Sequence, residues 1–120
     1  MQNKLLLGKE VSLYITQQLN NKIPGSEYNT GSLGHVIGVG AGIALSAKLD
    51  NKGFKTIALV GDAECDEGSI WEGLMSASKH KLDNLVVIVD HNNLQTYGSP
   101  KEVAGLDNIK EKLLSFNLKV

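Results

Sequence analysis

A chain of 120 residues with a net charge of -1 and 21% charged residues gives no electrostatic case for binding nucleic acid or an anionic membrane surface. Its length allows one domain, read as residues 1–120, and its single cysteine, Cys65, excludes an internal disulfide, so a reducing cytoplasm is the expected compartment. Neither an export signal nor a membrane span is read: Leu5-Leu6-Leu7 is short and runs into Lys9 and Glu10, and the apolar window Val36 to Ala47 is broken by glycines, well short of about 20 residues.

In Met1 to Asn21, the residues Leu6, Leu7, Val11, Tyr14, Ile15 and Leu19 fall near helical spacing, which predicts an amphipathic helix. Pro24-Gly25 ends it, and the polar run Ser26 to Ser32 predicts a loop. Thr30-Gly31-Ser32-Leu33-Gly34 leads into a predicted helix over His35 to Leu49, with Ser32 as its N-cap. That helix is apolar almost all round, the mark of a buried one. Gly34, Gly38 and Gly42 recur at every fourth position. A glycine inside a helix costs about 1 kcal/mol relative to alanine, so Gly38 and Gly42 predict the close approach of another backbone, from a neighbouring helix or a second subunit. Asp50-Asn51-Lys52-Gly53 predicts a surface turn.

Thr56-Ile57-Ala58-Leu59-Val60 and Leu85-Val86-Val87-Ile88-Val89 predict two strands. Between them Ile70, Trp71, Leu74, Met75, Ala77 and Ser78 fall at helical spacing, so the unit reads as a βαβ crossover. Such crossovers make the strands parallel, and both following loops leave at the carboxyl edge of the sheet. Asp62 and Asn92 then face one crevice. Adjacent strands lie about 4.8 Å apart, which lets a carboxylate and an amide oxygen reach one small cation. Hard oxygen donors suit magnesium, which keeps about six ligands and takes several from phosphate or water, so a diphosphate ligand is expected.

Around this loop, Glu64, Asp66 and Glu67 precede a helix, where acidic side chains suit the positive end of its dipole. Cys65 reads as an inert thiol. His35 reads as a polar residue at a helix start, His80 as a surface residue between Lys79 and Lys81, and His91 as positional rather than ligating. Leu94 to Pro100 predicts a loop, and Leu106 to Val120 a final helix with a short apolar end.

Gly61-Asp62, followed thirty positions after the aspartate by Asn92 at the end of the next strand, resembles the signature of enzymes that bind thiamine diphosphate through magnesium. Within that group, Thr30 to Gly34, Glu67-Gly68 and Glu72 make the chain similar to the amino-terminal part of transketolase. The resemblance covers roughly residues 23–120, with a motif core over 29–98. It implies an α/β fold, a parallel sheet flanked by helices, corresponding to a truncated thiamine diphosphate-binding domain.

The resemblance also implies roles for residues. Asp62, the Asn92 side chain and the Leu94 carbonyl would hold magnesium. Gly31, Ser32 and Leu33 would hold the cofactor around its thiazolium and aminopyrimidine, and Gly61 and Ala63 would lie beside the diphosphate. Glu67 would join a catalytic acid network at a subunit interface, with Glu72 either in that network or on a solvated face. Ala63 stands where the signature has its second glycine, and would be strained by roughly 1 kcal/mol or more if the loop needs a positive φ.

The implied activity is a transferase of carbohydrate metabolism, moving two carbons between sugar phosphates. It would work with a separate carboxyl-terminal, pyrimidine-binding subunit, and the isolated chain is expected to be inactive and to expose apolar surface that drives self-association. Two alternatives stay open: the alpha-type subunit of another thiamine diphosphate enzyme, such as a 2-oxo acid dehydrogenase, and a non-catalytic fragment that binds a cofactor or partner.

Overall fold

The apolar runs before Gly61 and Asp90 fold as the parallel pair that the crossover requires. In the computed structural model, which describes residues 12–16, 26–29, 31–92, 98, 100–104 and 108–120, strand β1 is Ser12–Thr16 and β2 is Ser26–Asn29. Helix α1 (Val36–Leu49) and strand β3 (Lys55–Gly61) follow. A 3₁₀ turn, Ala63–Asp66, leads to α2 (Gly68–Lys79) and then β4 (Leu85–Asp90). The short helices α3 (Pro100–Val103) and α4 (Ile109–Ser115) complete the described elements. The strands form one sheet in the order β2-β1-β3-β4, and every neighbouring pair is parallel. The chain is an α/β protein with a parallel sheet and packed helices, the class its sequence predicts.

Register fixes which side chains meet. Thr56 pairs with Leu85, Ala58 with Val87 and Val60 with Val89, so these residues share one face of the sheet. Onto β3 and β4 there pack Val36 and Ile37 of α1 and Ile70 and Leu74 of α2, with Cys65 beside them. Burial of each such large aliphatic side chain is worth roughly 1.5–3 kcal/mol. Ile109, Leu113 and Leu118 pack against the same core from around α4. The Trp71 ring stacks on Phe116 with centroids 5.6 Å apart, tying α2 to the end of α4.

Both long helices close the same way. At the end of α1 the Lys52 N–H donates to the Ala47 carbonyl and Asn51 to that of Lys48; at the end of α2, Leu82 donates to Ala77 and Lys81 to Ser78. Asn51 and Lys81 supply the left-handed residue this closure needs, at φ 54° and 49°. The predicted turn at Asp50 to Gly53 is thus a helix C-cap.

Several expectations are corrected. Ser12–Thr16 is a strand rather than part of a helix, and the remainder of Met1 to Asn21 lies outside the described residues. A strand paired on both sides is an apolar run that periodicity cannot tell from a helix face, and Tyr14, Ile15 and Thr16 suit a pleated strand. Ser26–Asn29, predicted as loop, is the edge strand β2, whose polar composition suits an edge. Among the described residues of the predicted helix over Leu106 to Val120, Ile109–Ser115 is helical, stopped by Asn117 at φ 59°. Pro100–Val103 adds a turn of helix after the predicted loop.

Within the chain, the glycine stripe meets another backbone at one point only among the described residues. Gly38 and Gly42 are exposed, and a Cβ on either would meet nothing within 4 Å. The close approach of backbones is made instead by Gly73 of α2, which lies against Ile37 and the Gly38 nitrogen.

Candidate functional site

Gly61 and Asp90 are register partners at the ends of β3 and β4, and the Asp62 N–H donates to the Asp90 carbonyl at 3.1 Å. The two following loops therefore leave from one point on the carboxyl edge of the sheet, as expected for a ligand crevice. Asp62 is buried, and its Oδ1 accepts from the Ala63 N–H at 2.8 Å, capping the 3₁₀ turn. Asn92 is exposed, and its Nδ2 donates to Asp90 Oδ2 at 3.1 Å. Leu94 and Thr30 lie outside the described residues.

The donor set of Asp62 and Asn92 is all oxygen and carries one carboxylate, which fits a hard cation finished by a ligand's own oxygens. No group of three His, Cys, Asp or Glu residues converges on a metal position among the described residues. Ala63 is absent from the residues with positive φ, so the loop does not demand glycine there for its backbone conformation. The strain that a positive φ would place on Ala63 does not arise.

Glu64 precedes α2 as expected, and in addition it is 1% exposed and its Oε1 accepts from the Gly34 N–H at 2.8 Å. This bond brings the segment Gly31 to Gly34 against the loop after β3. Gly31, Ser32 and Leu33 are exposed beside it, whereas Gly34 is buried at φ +86°, a conformation suited to glycine. The space a Gly34 side chain would take is filled by the Ser69 hydroxyl and the Glu67 Cβ, the latter 2.8 Å from the Cβ position.

Ser32 does not cap α1. The N-cap is His35, whose side chain makes no capping bond and whose Nδ1 instead lies 3.1 Å from the Leu33 carbonyl.

Cys65 is buried, and its thiol is pushed up to about 11 by burial and then by the negative charges of Glu64, Asp62 and Asp66. A thiol so held stays neutral, in agreement with the inert reading. The Cys65 carbonyl accepts from Trp71 Nε1 at 2.8 Å, fixing the 3₁₀ turn to α2. Glu67 and Glu72 are not brought together: Glu67 is exposed at the start of α2, and Glu72 lies further along the same helix and is exposed as well. His80 and His91 are exposed too. A cavity of about 1230 Å³ lies elsewhere, between α2, β4 and α4, and among its lining residues His91 alone comes from these loops.

Two features escape a reading of the sequence. Glu64 sits among acidic neighbours whose common role at a helix start hides its burial, and only the Gly34 contact distinguishes it. Gly73 carried a signal, an isolated glycine inside a helical pattern, which points to close packing.

No helix among the described residues is long and apolar enough to cross a membrane. The family model described as 1-deoxy-D-xylulose-5-phosphate synthase matches residues 19–118. An apulose-4-phosphate transketolase subunit of Phocaeicola vulgatus is 46% identical over 95 residues, covering 79% of this chain and 34% of that protein. The subunit of the same description from Actinobacillus succinogenes is 41% identical over 102 residues, covering 85% of this chain and 37% of that protein. A 6-deoxy-6-sulfo-D-fructose transketolase subunit from a Clostridium species is 35% identical over 92 residues, covering 77% and 34%. The chain spans about a third of the length of these curated relatives. With residues 19–118 covered by that family and transketolase subunits matched along most of its length, the chain belongs to the family that joins the amino-terminal parts of 1-deoxy-D-xylulose-5-phosphate synthase and transketolase.

Proposed function

We propose that this chain is the amino-terminal part or subunit of a transketolase-type enzyme, which anchors thiamine diphosphate through magnesium for two-carbon transfer between sugar phosphates. The observation that carries this reading is the joining of two loops at the carboxyl ends of adjacent parallel strands, with Asp62 on one and Asn92 on the other. In support, relatives matched over most of the chain are named as individual subunits of transketolases, which favours a separate partner that completes the enzyme.

When bound, thiamine diphosphate supplies a nucleophilic carbon that makes and breaks carbon-carbon bonds beside a carbonyl. The chain's own residues bind and orient. Asp62, the Asn92 amide and the Leu94 carbonyl would hold the metal, with Gly61 and Ala63 beside the diphosphate and Gly31, Ser32 and Leu33 beside the rings. Glu67, exposed at the start of α2, is available to an acid network shared with a partner protein.

Calorimetric titration of thiamine diphosphate with magnesium tests this reading, run beside Asp62→Asn. Binding that needs magnesium and falls at least roughly tenfold in the variant is expected, the loss of one charged ligand. Binding of equal strength in both proteins, or without magnesium, would overturn it.

A further inference from the structure

We propose that Glu64 is a positioning residue: its carboxylate locks the segment Gly31 to Gly34 onto the metal loop, so that the two halves of the cofactor site move as one body. The inference rests on the thiamine diphosphate reading for its consequence, and on the Glu64–Gly34 bond for its physical basis.

Glu64 follows Asp62 by two residues in the 3₁₀ turn, and Gly34 directly precedes the His35 N-cap of α1. They are thirty positions apart in sequence and are joined by one bond of 2.8 Å between buried groups. Both ends are sterically committed. Gly34 holds φ +86° and is hemmed in by Glu67 and Ser69, so its N–H has a fixed direction. Glu64 is 1% exposed, and its second oxygen, Oε2, is buried with no hydrogen-bond partner among the described residues.

A buried carboxylate with one bond is a poor source of stability, because removing the charge from water costs more than a single bond returns. Its placement gains something else, a charge-assisted bond between two loops that are remote in sequence. The diphosphate end of the site is built on β3 and β4. The ring end is built on the segment before α1. Glu64 is the side chain of the first that grips the backbone of the second.

The test uses Glu64→Gln, which keeps an acceptor oxygen, and Glu64→Met, which keeps length and apolar bulk but offers none. Amide hydrogen exchange at Gly34 is followed without ligand. Calorimetry then compares magnesium with thiamine diphosphate against magnesium with inorganic pyrophosphate. For Glu64→Met, faster Gly34 exchange is expected, with thiamine diphosphate affinity lowered roughly tenfold and pyrophosphate affinity unchanged. Glu64→Gln should restore both exchange and affinity. Gly34 exchange that is the same in the native protein and Glu64→Met would overturn the proposal, as would a parallel loss of pyrophosphate binding or a failure of glutamine to rescue. If the native protein binds no thiamine diphosphate, the cofactor reading fails, and Gly34 exchange alone decides whether Glu64 locks the loop. If Glu64→Met does not fold, Glu64→Gln decides: native Gly34 protection upholds the lock, and its loss overturns it.

Discussion

Gly73 of α2 lies so close to Ile37 of α1 that a Cβ on the glycine would stand 2.8 Å from Ile37 Cγ2 and 3.2 Å from the Gly38 nitrogen. One of these neighbours is backbone, which cannot swing aside. Gly73→Ala therefore forces the helices apart at the core, at about 1–3 kcal/mol, against a gain in helix propensity of about 1 kcal/mol. We expect a net destabilisation of up to about 2 kcal/mol. Gly42→Ala supplies the opposite sign, since Gly42 is exposed and its Cβ would meet nothing within 4 Å. It should stabilise by up to about 1 kcal/mol. Urea unfolding of both variants measures the pair, and equal effects would contradict the packing described.

The contrast shows what the sequence makes legible. The run of β-branched residues at 86–89, the helical spacing of Ile70 and Leu74 and the polar loops between them make the crossover readable, because local pattern and global fold agree there. Asp62 and Asn92 are legible for the same reason, since the crossover rule alone sends both to one edge. What is illegible depends on partners far away in sequence. β1 takes its conformation from β2 and β3, the burial of Glu64 from Gly34, and the need for glycine at 73 from Ile37. Gly38 and Gly42 are legible only as a repeat: within the chain the Gly38 nitrogen is approached by Gly73, and nothing lies within 4 Å of a Cβ at either position.

Lys81 closes α2 at φ 49° with a side chain that this conformation disfavours. Its carbonyl accepts from Lys48 Nζ at 2.6 Å, a bond that any residue at 81 retains. Lys81→Gly should stabilise the protein by about 0.5–1 kcal/mol, the relief of left-handed strain less the added entropy of the unfolded chain. Lys81→Ala, which keeps the Cβ, should change little. A glycine variant with an unchanged urea midpoint would show that the cap carries no strain.

Cys65 ties stability to alkaline pH. Its folded value is raised from the ordinary 9.0 to about 11, chiefly by burial, so the folded state holds its proton where the unfolded chain gives it up. The folded state then binds more protons than the unfolded chain between these limits, and stability falls as pH rises. The contribution is fully present below about pH 9 and is lost progressively by about pH 11, amounting to roughly 2–3 kcal/mol. Cys65→Ala should remove this alkaline decline while lowering stability at neutral pH through the small cavity it leaves. A thiol reagent at about pH 8 should label the folded protein far more slowly than the urea-unfolded one. Labelling at the rate of an exposed thiol would refute the burial argument.

Leu59, Val86 and Ile88 are 41, 40 and 47% exposed, and all three point to the face of the sheet opposite α1 and α2. Leu59 pairs with Ile88 in register and Ile57 with Val86, so the apolar residues are contiguous. Parallel sheets are normally covered on both faces, and among the described residues no helix packs on this one. We expect the isolated chain to self-associate through this patch and to bind an apolar-surface dye. The double variant Val86→Thr with Ile88→Thr keeps β-branched residues on the strand, so its fold should survive with the apolar area reduced. Sedimentation should show association weakened at least roughly tenfold, as loss of about 1.4 kcal/mol of apolar contact would give. A native chain that stays monomeric at high concentration and binds no dye would show that the face is already covered, and the variant would then sediment no differently.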